Sequence, residues 1–351
     1  MGVFGTILIA ILVFGFLIFI HEFGHYFFAR LFKVTINEFS IGMGPVIYSK
    51  TGKKEGIKYN IRALPIGGFV SMAGEVYEDD KKIPKDKFLC NKPIWQRVIV
   101  MAAGVINNFI AAILILFVLA LIWGSNSLEP KIDAVVEGYP MAEAGIVKGD
   151  VIVAINNKKV STWDEAQILL YYKNENNHYE FTIRHVDGKV ENYKITPQIT
   201  KNEDGEETKV FGVNINQEKT YGLWNKIKYA FQKFGAVVSS MWLTIKGLVT
   251  GKIALNALSG PVGIYTFVGQ SISYGLYYVI YLLAYLSINV GVINILPFPA
   301  FDGGRIVFLI IEKIKGSPVN QKFENWCHTI GFALLMILIL YITIKDVINL
   351  F

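Results

Sequence analysis

The chain has 351 residues, of which 53% are hydrophobic and 18% charged, and its mean hydropathy is +0.41. Soluble globular chains carry about a quarter charged residues, so this balance points away from an ordinary soluble protein and toward a membrane protein. The net charge of +6 comes with no nucleic-acid-binding module, so its basic residues are read as a membrane topology signal rather than a nucleic-acid footprint.

Residues Met1 to Ile20 hold no charge and no strong turn signal. A signal peptide would show a basic n-region and a small-residue cleavage site, and neither is visible. About 20 apolar residues can cross roughly 30 Å of hydrocarbon as a helix. That helix is expected to continue through His21, Glu22 and His25 until charge returns at Arg30 and Lys33. Val46 to Lys50 and Ile57 to Leu64 read as short strands around Thr51–Gly56, which fits a hairpin. Pro65 to Phe69 then returns the chain toward the membrane.

A second apolar run covers Val98 to Trp123. Lys131 to Ile199 alternates apolar and polar residues in short runs, broken by Asn156-Asn157 and Asp187-Gly188, with a helix expected near Trp163 to Lys173. This pattern predicts a small β-rich domain. Thr200 to Thr208 reads as a charged, Gly-containing linker. Leu223, Ile227, Phe231, Phe234, Val238, Met241, Ile245 and Leu248 recur at helical spacing with lysines on other faces. That amphipathic helix is expected to lie on the membrane surface, with packing against the β-rich domain as the alternative. A third span is read at about Tyr277 to Leu296, with a blurred start because Ile264 to Tyr278 is also apolar, and a fourth at about Thr329 to Ile344.

The fold class expected is therefore a multi-pass α-helical membrane protein of about four transmembrane helices. It carries a cytoplasmic-side β-hairpin and an inserted extracytoplasmic β-rich domain. The segment between the first two spans is rich in Lys and Arg, including Lys54, Lys81 and Lys82, and the link between the last two carries Arg305, Lys313, Lys315 and Lys322. Basic loops stay in the cytoplasm, which puts both termini and Gly124 to Tyr277 outside. The divisions read from the sequence are 1–124, 127–200, 201–276 and 277–351. Cys90 and Cys327 both fall on the cytoplasmic side, so no disulfide is expected.

His21-Glu22-Phe23-Gly24-His25 is an H-E-x-x-H motif. Residues i and i+4 share a helix face, so both imidazoles can reach one metal with Glu22 beside it as general base. Two satisfied histidines on a helix face would be the plain alternative. Ionisable groups at the end of a membrane span are costly unless paired or metal-bound, which disfavours it. A catalytic zinc wants three protein ligands and an open fourth position. His178 and His185 lie in the outer β-rich domain, on the wrong side; His328 opens the fourth span and stays possible. Asp302 is the better candidate, because Pro297 and Pro299 break the helix before it and Gly303-Gly304 allows a sharp turn after it.

The two motifs, H-E-F-G-H and Asn294-x-x-Pro297-x-Pro299-x-x-Asp302-Gly303-Gly304, resemble those of the site-2 protease family of intramembrane zinc metalloproteases. The similarity is to the bacterial branch typified by the regulator of sigma-E protease and runs along essentially the whole chain. Phe39–Pro45, Gly104–Phe109 and Leu258–Gly263 are similar to further family segments. The resemblance implies one zinc ion held by His21, His25 and Asp302, with Glu22 activating water and Asn294 positioning substrate or stabilising the oxyanion. Phe301 stands where the family usually has Leu. Gly138 to Ile152 resembles the core signature of a PDZ domain, which names region 127–200 and implies that it can bind a peptide end by strand addition. The implied setting is the cytoplasmic membrane of a bacterium with the PDZ domain outside. The implied partners are lipid and single-span membrane substrates, such as an anti-sigma factor, a signal-peptide remnant or a pheromone precursor, and no nucleic acid. The alternative is a non-catalytic membrane scaffold that presents the PDZ domain, which would need no Glu22 beside a ligand set. A metal transporter is disfavoured by the single ligand cluster and the lack of repeated spans.

Overall fold

The computed structural model describes residues 3–53, 55–75, 83–173, 177–201, 207–216 and 218–348, so Lys54, Lys81 and Lys82 lie outside the described residues. The chain forms two compact units, one of Met1–Ile115 with Leu258–Phe351 and one of Leu116–Ala257.

The first unit opens with α1 (Val3–Leu31), which carries no charge until His21-Glu22. A helix satisfies every backbone group internally, which apolar surroundings require. Strands β1 (Ile36–Thr51) and β2 (Lys58–Met72) follow and pair with each other. Both are longer than the sequence suggests. Gly42, Gly44 and Gly67 adopt positive φ within them, so residues that read as breaks act as bends in continuing strands. The register is folded back: Glu38–Ile41 partners Gly68–Ser71 and also Lys58–Ile61, while Tyr48–Thr51 partners Lys58–Ile61 as well. Arg62 ties these layers, donating to Glu38 at 2.5 Å, to Ser40 Oγ at 3.1 Å and to the Gly44 carbonyl at 2.9 Å. Helix α2 (Ile94–Trp123) then crosses α1 closely, because Gly24 leaves room for the Ala103 backbone. Phe39, Val70 and Met72 of the strands pack with Ala29 of α1 and Val100 and Met101 of α2 into a small core.

The second unit holds β3 (Ser125–Asn126) and, after it, a six-stranded sheet. Its strands are β4 (Lys131–Val135), then after α3 (Pro140–Glu143) β5 (Val151–Ile155) and β6 (Lys158–Lys159), and after α4 (Trp163–Tyr171) β7 (Tyr179–Arg184) and β8 (Val190–Ile195). A hairpin of β9 (Gln198–Lys201) and β10 (Glu207–Val210) leads to β11 (Val213–Asn216), and β12 (Lys219–Thr220) pairs with β3 outside this sheet. The sheet order is β11-β4-β5-β7-β8, with β6 on β5. The segment read as a linker is therefore the hairpin of β9 and β10, its residues 202–206 lying outside those described. The hairpin returns the chain so that β11 joins the sheet beyond residue 200. Tyr179, Phe181 and Ile183 alternate inward with Glu180, Thr182 and Arg184 outward, and they pack with Ile132, Met141, Ile155, Leu169 and Phe211. Helix α4 starts on Thr162, whose side chain accepts from the Glu165 amide, while Glu165 reaches back to the Ser161 amide.

Helix α5 (Leu223–Val249) packs one face on the β-rich domain, the outcome held as the alternative in the sequence. Lys233 grips both oxygens of Asp164 at 2.8 Å, and the Tyr172 hydroxyl donates to the Leu243 carbonyl at 2.5 Å. These α4 contacts outcompete a purely surface role for that face, while Trp224, Phe231, Trp242 and Val249 stay exposed on another.

The first unit resumes with α6 (Pro261–Tyr274) and α7 (Leu276–Asn294). Gly275, at φ +107°, separates them, which resolves the blurred start of the third span. Helix α8 (Asp302–Lys315) ends on left-handed Gly316, and α9 (Gln321–Ile348) closes the chain. Gly260 has no side chain to cap α6. Asp346 of α9 does so instead, accepting from the Gly260 and Gly263 amides at 2.7 and 3.0 Å. Helices α1, α2, α7 and α9 are long and apolar enough to cross a bilayer, which makes this an integral membrane protein of helices and strands. Cys90 and Cys327 are free thiols.

Candidate metal centre

His21 and His25 sit one turn apart on α1, and their Nε2 atoms are 3.3 Å from each other. Asp302, the first residue of α8, brings its Oδ2 to 3.2 Å from His21 Nε2 and 3.4 Å from His25 Nε2. Among the described residues these three form the group of His, Cys, Asp and Glu side chains whose ligand atoms converge tightly enough to hold a metal ion.

The donor set fits zinc. Tetrahedral ligands at Zn–N and Zn–O bond lengths lie roughly 3.3 to 3.5 Å from one another, the spacing seen between these atoms. Asp302 Oδ2 is buried without a hydrogen-bond partner and faces the two imidazoles. His25 Nδ1 lies 2.8 Å from the Val100 carbonyl oxygen and donates to it. That bond fixes the tautomer whose Nε2 lone pair faces Asp302.

The surroundings explain the approach of the three segments. A Cβ on Gly104 would lie 2.5 Å from His25 Nε2 and 2.7 Å from His21 Cε1, so α2 presents bare backbone to both rings. The loop between α7 and α8 folds over the start of α8, where Cβ atoms on Gly303 and Gly304 would come within 2.3 and 2.4 Å of the Ile295 and Phe298 carbonyl oxygens. Ala300 in this loop has φ +91°, a left-handed conformation rare outside glycine, and its amide donates to His328 Nδ1 at 3.2 Å. His328 therefore holds the loop through Nδ1, and among the described residues it is not in the group whose ligand atoms converge. Arg305, one turn beyond Asp302, pairs with Glu75.

Glu22 is buried beside the cluster, with its Cγ 3.1 Å from where a Cβ on Gly68 of β2 would stand. Asn294 ends α7 and is half-buried. His178 hydrogen-bonds Thr196 and His185 hydrogen-bonds Asp150 and Tyr193, all within the second unit. The sequence did not single out Val100, Gly68 or the hold of His328 on Ala300, and it marked Gly104 only as part of a segment similar to the family's. The spacing Gly104-x-x-x-Asn108 was a usable signal, since it sets a gap and an amide on one face of α2.

The peptidase family M50 pattern matches residues 9–338. The regulator of sigma-W protease RasP of Bacillus subtilis is 32% identical to this chain over 99% of both proteins. A putative zinc metalloprotease of Fusobacterium nucleatum is 36% identical over 99% of both. One of Clostridium perfringens is 36% identical over 97% of this chain and 98% of the relative.

Proposed function

The chain belongs to peptidase family M50 and is a zinc metalloprotease, and on that premise we propose that it cuts single-span membrane proteins within the bilayer, as a step of regulated intramembrane proteolysis. The observation that carries this reading is the meeting of His21, His25 and Asp302 from helices of a membrane-spanning unit.

His21, His25 and Asp302 would hold the zinc. When bound there, the ion supplies a Lewis acid that polarises the scissile carbonyl and brings the pKa of a water near neutral. Glu22, adjacent to His21 on α1, takes the proton from the attacking water and delivers it to the leaving amine. Asn294 positions the substrate backbone at the end of α7. A helical substrate hides its carbonyls in its own hydrogen bonds, so it must be unwound before cleavage. The β1–β2 sheet offers strand edges to the unwound segment, with Gly68 bringing β2 against Glu22.

The basic loops support a topology with the β1–β2 sheet and the α8–α9 link in the cytoplasm and the second unit outside the cytoplasmic membrane. Region 127–200 acts as a PDZ domain that takes a peptide end by adding a strand. Substrates of this class include an anti-sigma factor or a signal-peptide remnant. Regions 1–124 and 277–351 form the membrane core, and 201–276 joins it to the PDZ domain.

The test uses the purified full chain and a single-span substrate. Glu22→Gln is expected to keep zinc and lose cleavage, and a strong chelator is expected to stop the unaltered enzyme until zinc is restored. Cleavage that persists in Glu22→Gln with bound zinc would remove Glu22 from its role.

A further inference from the structure

Asn108 lies on α2, four residues after Gly104 and fully buried. Its side-chain nitrogen stands 3.2 Å from His21 Nδ1, and its side-chain oxygen is buried with no partner. Two facts conflict in that arrangement. If His21 faces Asp302 with the lone pair of Nε2, its Nδ1 carries a proton and is a donor. An amide NH2 is also a donor, so the two would meet head to head while a good acceptor is stranded beside them. Turning the amide over within the same envelope removes both faults, since oxygen and nitrogen are nearly equal in shape. The oxygen then accepts from Nδ1, as the Val100 carbonyl does from His25.

We propose that Asn108 is the positioning residue of His21: its side-chain carbonyl accepts the Nδ1 proton and so fixes the tautomer and ring plane that present Nε2 to the metal. This rests on the ligand set proposed above. Asn108 is itself held in place, because its backbone carbonyl accepts from the Ser287 hydroxyl of α7 at 2.9 Å. Its neighbour Asn107 donates to the Ile20 carbonyl at 3.3 Å, just before His21 on α1. The two ligand histidines would thus be oriented by one helix, through a main-chain carbonyl for His25 and a side-chain carbonyl for His21. Outer partners of this kind are worth about 10- to 100-fold in metal affinity.

The experiment measures zinc affinity of the full-length protein in detergent by chelator competition, for Asn108→Leu, Asn108→Asp and His21→Ala. Asn108→Leu, which removes the acceptor, is expected to weaken binding about 10- to 100-fold, while Asn108→Asp, which keeps one, stays within a few-fold of the unaltered protein. Unchanged affinity in folded Asn108→Leu, or equal losses in folded Leu and Asp variants, would overturn the proposal. His21→Ala separates the two readings. If it leaves zinc affinity intact, the ligand set itself is wrong; if it abolishes binding while Asn108→Leu does not, only the role of Asn108 is wrong. Should Asn108→Leu fail to fold, imidazole nitrogen NMR of the zinc-loaded, unaltered protein decides. A protonated, slowly exchanging His21 Nδ1 supports the proposal, and metal bound at Nδ1 overturns it.

Discussion

Gly68 of β2 runs so close to Glu22 of α1 that a single added methyl would stand 3.1 Å from Glu22 Cγ, 2.6 Å from Ile18 Cγ2 and 2.8 Å from the Ser40 carbonyl oxygen. The carboxylate proposed as general base is therefore bounded on one side by main chain. Any residue but glycine must push the strand or the carboxylate away.

Gly68→Ala is expected to lower kcat/KM by about tenfold or more, because misplacement on the order of 1 Å can cost about 100-fold in rate. Zinc content should stay unchanged, since none of the three converging atoms touches Gly68. Parallel assays of cleavage and bound zinc check this, and a variant with full activity would show that the contact does not set the position of Glu22.

Gly104→Ala acts on the other side. Its methyl would enter the space of both imidazole rings, 2.5 Å from His25 Nε2. Alanine favours a helix over glycine by about 1 kcal/mol, so α2 should keep its helicity. The expected result is at least a tenfold loss of zinc affinity with an unaltered far-ultraviolet circular dichroism spectrum. Retained affinity would mean that the rings can withdraw without cost.

His328→Ala removes the acceptor for the Ala300 amide. A lost hydrogen bond of this kind is worth about 1 kcal/mol, or roughly fivefold, and the strained φ of Ala300 adds to the tendency of the loop to relax. Zinc affinity is expected to fall about fivefold. Adding Ala300→Gly should recover part of it, because glycine takes a positive φ freely. Chelator competition on the single and double variants measures both effects, and no recovery would separate the loop strain from the role of His328.

Glu38 ties the sheet through charge. Burial pushes its carboxyl pKa up, but hydrogen bonds from Ser40, Arg62 and Asn60 outweigh that and hold it below the ordinary carboxylate value. A lowered folded pKa means stability that is present above the unfolded value of about 4.3 and lost as pH falls through the folded one. Glu38→Gln should thus speed amide exchange in Lys58–Arg62 near neutral pH, with the difference from the unaltered protein shrinking as the pH falls below about 4. An equal difference at both ends of that range would show that the Glu38 charge contributes nothing.

The sequence made the long apolar helices legible because hydrocarbon admits few alternatives for about 20 uncharged residues. The His21–His25 pair was legible for a similar reason, since its geometry is local to one helix. Asp302 was legible only through the turn chemistry around it and the resemblance of its motif. Val100 and Gly68 were not, nor were the contacts that Asn108 and His328 make, because each acts across a tertiary contact between distant segments, and no local period encodes which carbonyl meets which ring. The strands β1 and β2 were read too short for another reason. Their glycines and prolines are breakers in isolation and become bends only when a partner strand holds them.

On the proposed ligand set, the metal joins the first helix of the chain to a residue near its C-terminal end. An early portion of the polypeptide carries only two of the three ligands, because the carboxylate follows both histidines by more than half of the chain. On that set the ligand group is complete only once the chain has reached α8, and a bound ion would act as a clasp between α1 and α8, two segments far apart in sequence.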